Sequence, residues 1–317
     1  MRFRLTILIL LVFTFGLQAQ KLEVQAQIID AESQQGIPYV NLWFVNLKKG
    51  TSATAQGKLS FSVDRALLEK LVVLSCVGYK RDTLTVQKLM NSTVSLEKST
   101  DELDEVRIQP IRGDNRKRVN SFRGKRIVGL GNFSGGAYPS ALARFYSKPQ
   151  DFDAFCFLEE VEVQFYQVYG TLNPAGKFRL RVLEVGKDGI PGEDLLSTNK
   201  ILSRSEDQRK LKIDLTPYRL QVPEEGIFIA VEHLFIEENA FIETVPVRVN
   251  DTAAVTMYEL KRYGPVFKGV ETYANEKNQR SFYRSIDGWK PVNLLNTKGS
   301  TLEGKFPAPA FKVTFTD

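Results

Sequence analysis

From Leu22 to Ile28 the chain alternates apolar and polar residues without a break, Leu22-Glu23-Val24-Gln25-Ala26-Gln27-Ile28. That is the period of a strand with one face buried. Further strand signals follow at Tyr39 to Val45, Leu59 to Val63, Leu71 to Val77, Leu84 to Val86 and Val94 to Leu96. Gly36, Pro38, Gly50, Gly57 and Gly78 punctuate them. Only Asp64 to Lys70 reads as helical, and it is barely two turns long. Six short strands at this spacing predict a small antiparallel sandwich. The same grammar resumes later. Val161, Val163 and Phe165 alternate with Glu162 and Gln164, while Phe178, Leu180 and Val182 alternate with Arg179 and Arg181. Leu211, Ile213 and Leu215 alternate with Lys212 and Asp214, and Phe311, Val313 and Phe315 close the chain in the same way. Ile227 to Val231 is continuously apolar, which predicts a central strand covered on both faces. The fold class expected is all-β: a small N-terminal sandwich and a larger C-terminal one, jelly-roll-like.

Composition narrows the class and sets the address. Hydrophobic residues at 43% and charged residues at 25% of 317 are the balance of a folded protein, and exclude disorder and a multi-span membrane protein. Residues 1–19 have the parts of a signal peptide: Arg2 and Arg4, an apolar run from Leu5 to Leu17, and Ala19 at the cut. Export to the periplasm, the outer membrane or the medium is therefore expected. The domains then read as 20–106 for the first sandwich, 107–129 for a basic linker and 130–317 for the second sandwich. Loss of Arg2 and Arg4 takes the net charge from +6 to +4. The stretch from Arg107 to Arg126 holds eight basic residues against Asp114. It reads either as a solvated linker or as a contact for an anionic envelope surface or an acidic partner. With only Phe122 among these charges, nucleic acid is not an expected partner. If the linker is solvated, the two halves are separate folding units.

Three clusters come in a telling order: Gly36-Ile37-Pro38-Tyr39-Val40-Asn41-Leu42, then Gly50-Thr51-Ser52 with Gly57-Lys58-Leu59-Ser60-Phe61, then Leu74-Ser75-Cys76-Val77-Gly78-Tyr79-Lys80. Together they resemble the carboxypeptidase-like regulatory domain, a transthyretin-like (prealbumin-like) β-sandwich. The resemblance covers about residues 21 to 97. Leu103-Asp104-Glu105-Val106-Arg107-Ile108 is similar to the segment that follows this domain in TonB-dependent outer-membrane transporters, but no barrel pattern follows it here. Residues 130 to 317 are similar to the β-sandwich region paired with the regulatory domain in exported proteins of unassigned function. The resemblance implies no catalytic residues and no cofactor.

Candidate chemistry is sparse. A zinc peptidase needs converging histidines, and His233 is the only histidine. On strand spacing Glu232 and His233 point to opposite faces, so His233 is expected to bond locally. The paired acids Glu159-Glu160, Glu224-Glu225, Glu237-Glu238 and Asp151-Phe152-Asp153 read as loop charges, so no catalytic and no metal site is expected. Gly129 to Gly136 lacks the lysine of a phosphate loop and reads as a flexible lead into the second sandwich. Cys76 and Cys156 sit in apolar strands, where burial as small hydrophobes competes with a disulfide.

The most suggestive stretch is aromatic. Tyr258, Tyr263, Tyr273, Tyr283 and Trp289, with Phe267 and Phe282, are candidates for a platform that stacks on sugar rings, although packing in a β core is the competing use. Phe282 to Trp289 reads as a hairpin turning at Asp287-Gly288, with Trp289 packed on a cross-strand neighbour. The expected function is a non-enzymatic envelope protein that binds a glycan or a protein. Two other readings stand beside it: an accessory of a TonB-dependent transport system, and a carbohydrate-active enzyme using carboxylates alone.

Overall fold

The computed structural model describes residues 21–99, 111, 113–119, 126–152, 155–167, 175–248, 255–273, 280–292 and 303–317. The signal peptide expected at 1–19 and the segment from Leu103 to Ile108 lie outside the described residues. The first unit holds β1 (Lys21–Asp30), β2 (Asn41–Phe44), β3 (Gly50–Ser52), β4 (Lys58–Asp64), β5 (Leu71–Ser75), β6 (Asp82–Thr85), the one-turn helix α1 (Val86–Leu89) and β7 (Ser92–Leu96). Two sheets, β4-β1-β7 and β3-β2-β5-β6, close over Val24, Ile28, Leu42, Leu59, Val72 and Leu74. The unit is not wholly antiparallel, because β7 runs parallel to β1 at the edge of its sheet. The helix expected at Asp64 to Lys70 is only a 3-10 turn at Arg65–Leu67, and none of its residues is buried. Helix forms instead after β6, where the Thr85 hydroxyl accepts the Lys88 N–H and Val86 and Leu89 turn into the core.

The second unit contains β8 (Arg116–Val119), β9 (Ile127–Leu130), β10 (Ala141–Tyr146), β11 (Phe157–Gln164), β12 (Gly176–Val185), β13 (Pro191–Asp194), β14 (Lys200–Arg204) and β15 (Lys210–Asp214). It continues with β16 (Ile227–His233), β17 (Ala240–Arg248), β18 (Val255–Tyr263), β19 (Phe267–Tyr273), β20 (Ser281–Ser285), β21 (Gly288–Pro291), β22 (Lys305–Pro309) and β23 (Lys312–Thr316). Its largest sheet has the order β13-β12-β16-β10-β20-β21, with β14 also on β12, and it faces the four-stranded sheet β15-β11-β23-β8. Phe165, Phe178, Leu180, Val163, Val231 and Phe315 fill the space between them. β16 is buried at every position, as its unbroken apolar run requires: Ile227, Ile229 and Val231 enter this core, while Phe228 and Ala230 enter a second cluster with Phe145 and Phe282. A three-stranded sheet, β22-β19-β9, and a two-stranded ribbon, β17-β18, complete the unit. The protein is all-β.

Part of the basic stretch forms an edge strand of this unit, with its three basic side chains still exposed. Arg116 to Val119 pairs with β23 in register, Val313 opposite Val119 and Thr316 opposite Arg116. The reason is charge matching along the sheet. Arg116 binds Glu159, Lys117 binds Asp151, and Arg118 reaches Glu160 and Glu162 at 3.6 and 3.5 Å. Arg126 meets Glu271 at 3.3 Å. The adjacent acids at Glu159-Glu160 and Asp151 are thus partners of the basic run. Arg107, Arg112, Arg123 and Lys125 lie outside the described residues.

The two units also share a seam. The Gly50 N–H donates to the Ala137 carbonyl at 2.9 Å, and the Ser52 N–H to the Phe235 carbonyl at 3.3 Å. Phe235 N–H donates back to Ser52 Oγ at 2.9 Å. Tyr39 packs with Leu234 and Ile236 of the second unit. Arg179 and Arg181, the polar half of the β12 alternation, therefore face the first sandwich and not water. Arg179 is 1% exposed. Its guanidinium ion-pairs with Glu232, donates to the Tyr39 carbonyl at 2.5 Å, and donates from Nε to Asn199 at 2.7 Å. Gly78 lies on the same seam with φ +81°, and a Cβ there would stand 2.6 Å from the Ser197 carbonyl oxygen. Glycine is required twice over, by conformation and by contact.

Candidate functional site: the cleft at the base of the β17–β18 ribbon

β17 and β18 pair over nine residues, from Ala240 opposite Tyr263 to Arg248 opposite Val255. Among the described residues the ribbon joins no other sheet, and Ile242, Met257, Tyr258 and Leu260 along it are exposed. At its base a cleft of about 1060 Å³ opens between the ribbon, the Gly131 to Gly136 loop and the start of β19. Phe133, Tyr166, Phe241 and Tyr263 give it aromatic walls, and Arg204 and Arg262 give it cationic ones.

Local bonding holds these walls in place. In the loop, Asn132 Oδ1 accepts the Ser134 N–H at 2.8 Å. Ser134 Oγ accepts the N–H groups of Ala137 and Tyr138 at 3.2 and 3.1 Å. The run that reads in sequence as a flexible lead is thus a bonded turn, and its glycines let it lie against β18: a Cβ on Gly136 (φ +91°) would stand 2.9 Å from the Lys261 carbonyl oxygen. Tyr263 stacks on Phe235 with ring centroids 4.0 Å apart and planes 14° apart. Arg262 donates from Nε to Glu243 at 2.9 Å and from Nη1 to the Gly135 carbonyl at 3.3 Å. Arg204 is 2% exposed and lies over the Phe165 ring, its guanidinium carbon 5.0 Å from the centroid. Its Nε donates to the Gln208 carbonyl at 3.0 Å, and its Nη2 has no hydrogen-bond partner among the described residues. Burial pulls its pKa below the ordinary arginine value.

The five aromatic candidates do not form one platform. Tyr263 lines the cleft, and Tyr283 backs its wall by packing on Phe133 at 5.4 Å. Tyr258 is 45% exposed on the ribbon, an odd number of residues from Tyr263 and hence on the other face. Tyr273 ends β19, and its side chain lies outside the described residues. Trp289 packs against the Phe145 and Phe228 cluster. The β20–β21 hairpin turns at Ile286-Asp287, one residue before the sequence reading, with Ser285 opposite Gly288. Trp289 does meet its cross-strand neighbour: the Arg284 guanidinium lies 5.6 Å from its ring centroid. Sequence reasoning missed Phe133, Tyr166, Arg204, Phe241 and Arg262 as cleft residues. Three of them are scattered through β14, β17 and β18, and no local spacing joins them.

His233 is sealed on the core side of β16, 0% exposed and edge-on to Phe267 at 5.1 Å. Nε2 lies 3.2 Å from the Pro265 carbonyl, an acceptor, so Nε2 carries the proton and Nδ1 is bare. Burial lowers its pKa to about 4. Glu232 points the opposite way, into the seam, held ionised by Arg179 and Arg181. Cys76 and Cys156 are buried free thiols in separate cores. Burial pushes the Cys156 thiol up to about 11. Among the described residues no three His, Cys, Asp or Glu side chains gather as a metal site.

Comparison with known families bears on the first unit. Residues 24–108 match the family model of the CarboxypepD_reg-like domain. No curated protein matches the chain. The motif that carried the resemblance has visible work in the CarboxypepD_reg-like domain. Tyr79 donates its hydroxyl to Asp30 at 2.8 Å, and Asp30 also accepts the N–H groups of Glu32 and Ser33 at 2.9 and 2.7 Å. These bonds hold the Asp30 carboxyl down to about 2 and lock the end of β1 to the turn after β5. The cleft lies wholly outside the matched residues.

Proposed function

We propose that the protein is an exported, non-catalytic binding module of the cell envelope, and that its ligand occupies the cleft at the base of the β17–β18 ribbon. The observation that carries this reading is the pairing of aromatic walls with a buried guanidinium whose Nη2 has no partner. Sites for organic ligands are concave and largely apolar, with a few placed polar groups. Aromatic faces suit sugar rings, and guanidinium groups suit carboxylates, so an acidic glycan is the ligand class. Among the described residues the carboxylate lining the cleft is Glu243, and its ion pair with Arg262 favours binding over hydrolysis. The CarboxypepD_reg-like domain fits a non-catalytic role and packs on the second unit through the seam.

Equilibrium binding of the full chain to a panel of uronic-acid, sialylated and neutral oligosaccharides tests the reading. The acidic members should bind, with affinity reduced at least tenfold by Tyr263→Ser or Phe133→Ala. Turnover of any oligosaccharide, or binding that both variants leave intact, would overturn it.

A further inference from the structure

The seam between the two units contains a second, smaller void. About 40 Å³ in volume, it is lined by Ser75 and Arg81 from the CarboxypepD_reg-like domain and by Arg181, Glu232, Arg284 and Ser285 from the second unit. A void of this size holds a few waters or one small ion; a sugar ring does not fit.

Its charges do not balance. Arg179 is matched by Glu232. Arg181 is matched by Asp194, which accepts from Nε at 2.9 Å and from Nη2 at 2.7 Å. Two carboxylates thus account for two guanidiniums, with Glu232 lying 3.9 Å from Arg181 as well. Arg81 and Arg284 then add two positive charges, and among the described residues neither forms an ion pair. Glu193, whose field also reaches Arg284, is exposed. Arg284 leans on Trp289, and burial together with the fields of Arg181 and Arg81 lowers its pKa to about 10. Arg181 and Arg284 are largely withdrawn from water while Arg81 reaches in from the exposed side, and like charges gathered so closely are costly unless something of opposite sign joins them.

The geometry points to a binding site for a tetrahedral oxyanion, phosphate or sulfate, held between Arg81, Arg181 and Arg284 across the seam. Guanidinium groups present planar forks of N–H donors that match such oxygens, and the hydroxyls of Ser75 and Ser285 supply neutral donors beside them. Arg81 comes from one sandwich and Arg284 from the other, so the anion ties the two together. The site is independent of the ribbon cleft, and either can stand without the other.

Thermal unfolding of the full chain in increasing inorganic phosphate, at ionic strength held constant with chloride, tests the assignment. Phosphate and sulfate should raise Tm saturably, by several degrees, because they bind the folded state alone. Isothermal titration should give one site per chain. Arg81→Gln removes an exposed side chain, so this variant should fold normally and lose the phosphate response by at least tenfold in apparent Kd. Arg284→Gln should do the same. Should Arg284→Gln fail to fold, Arg81→Gln decides the matter alone. A Tm indifferent to phosphate, or a rise equally large in Arg81→Gln, would overturn the site.

Discussion

The seam between the sandwiches and the cleft at the base of the ribbon both set arginines beside aromatic rings, yet they are finished differently. In the seam, Arg179 and Arg181 are 1% and partly exposed, each carries a carboxylate, and backbone carbonyls take up further N–H groups. In the cleft, Arg204 is equally deep, yet its Nη2 has no partner, and the surrounding rings face open space. The seam is built to keep two bodies together. The cleft leaves one buried N–H donor unmatched among the described residues, and the proposed binding role rests on that difference. Burial of an arginine is therefore no guide to its role; the tally of its partners is.

This contrast is sharpest where a charge is removed. Arg179→Met should cost about 3–5 kcal/mol, because it leaves the buried Glu232 carboxylate only the longer 3.9 Å contact with Arg181 and strips the Tyr39 carbonyl of its donor. Adding Glu232→Leu should restore at least half of the loss in urea denaturation. An Arg179→Met protein as stable as the parent would mean that the buried Arg179 pairing does not hold the seam together.

Next in size is a pH effect from the residue that follows Glu232. An unfolded histidine takes a proton near pH 6.5, whereas His233 takes one only near pH 4 in the fold. The unfolded state binds more protons between these values, so stability is full above pH 6.5 and falls as pH drops toward 4. The loss should reach about 3 kcal/mol. His233→Gln should flatten that part of the stability curve, and an unchanged slope would contradict the sealed site.

Smaller still is the contact of Gly78 with Ser197. Gly78→Ala should destabilise by about 1–2 kcal/mol, since both the positive φ and the carbonyl contact oppose a Cβ. At the low end, Ile242→Ser on the exposed ribbon should move stability by no more than about 0.5 kcal/mol. Calorimetry of these two variants side by side reads the difference between a packed face and an open one.

Much of the strand framework was legible because alternation is local. β1, β4, β11, β15 and β23 are each visible in their own residues. β10 was not, since Arg144 interrupts Ala141 to Tyr146 and hides a strand that is buried at every position. In the fold that guanidinium donates to the Pro309 carbonyl at 2.7 Å, a partner 165 residues away. The pairing of the basic stretch with β23 was hidden for the same reason, because the acids that meet Arg116 and Arg118 lie some forty residues on. Of the candidate site, Tyr263 was legible as an aromatic of interest. The cleft itself was not, because its walls come from elements that meet only through the topology.

The short strand β3 has a consequence for anyone who would cut this protein in two. It is the edge of its sheet, and Gly50 and Ser52 turn their N–H groups toward Ala137 and Phe235 of the second unit. Those carbonyls are what keeps the edge from seeking another strand. A fragment ending near residue 106 would keep its core and lose this cover, leaving β3 and the apolar face of Tyr39 open to a second copy of itself. Its failure in solution would then be self-association through a bared rim, with the sandwich itself still folded.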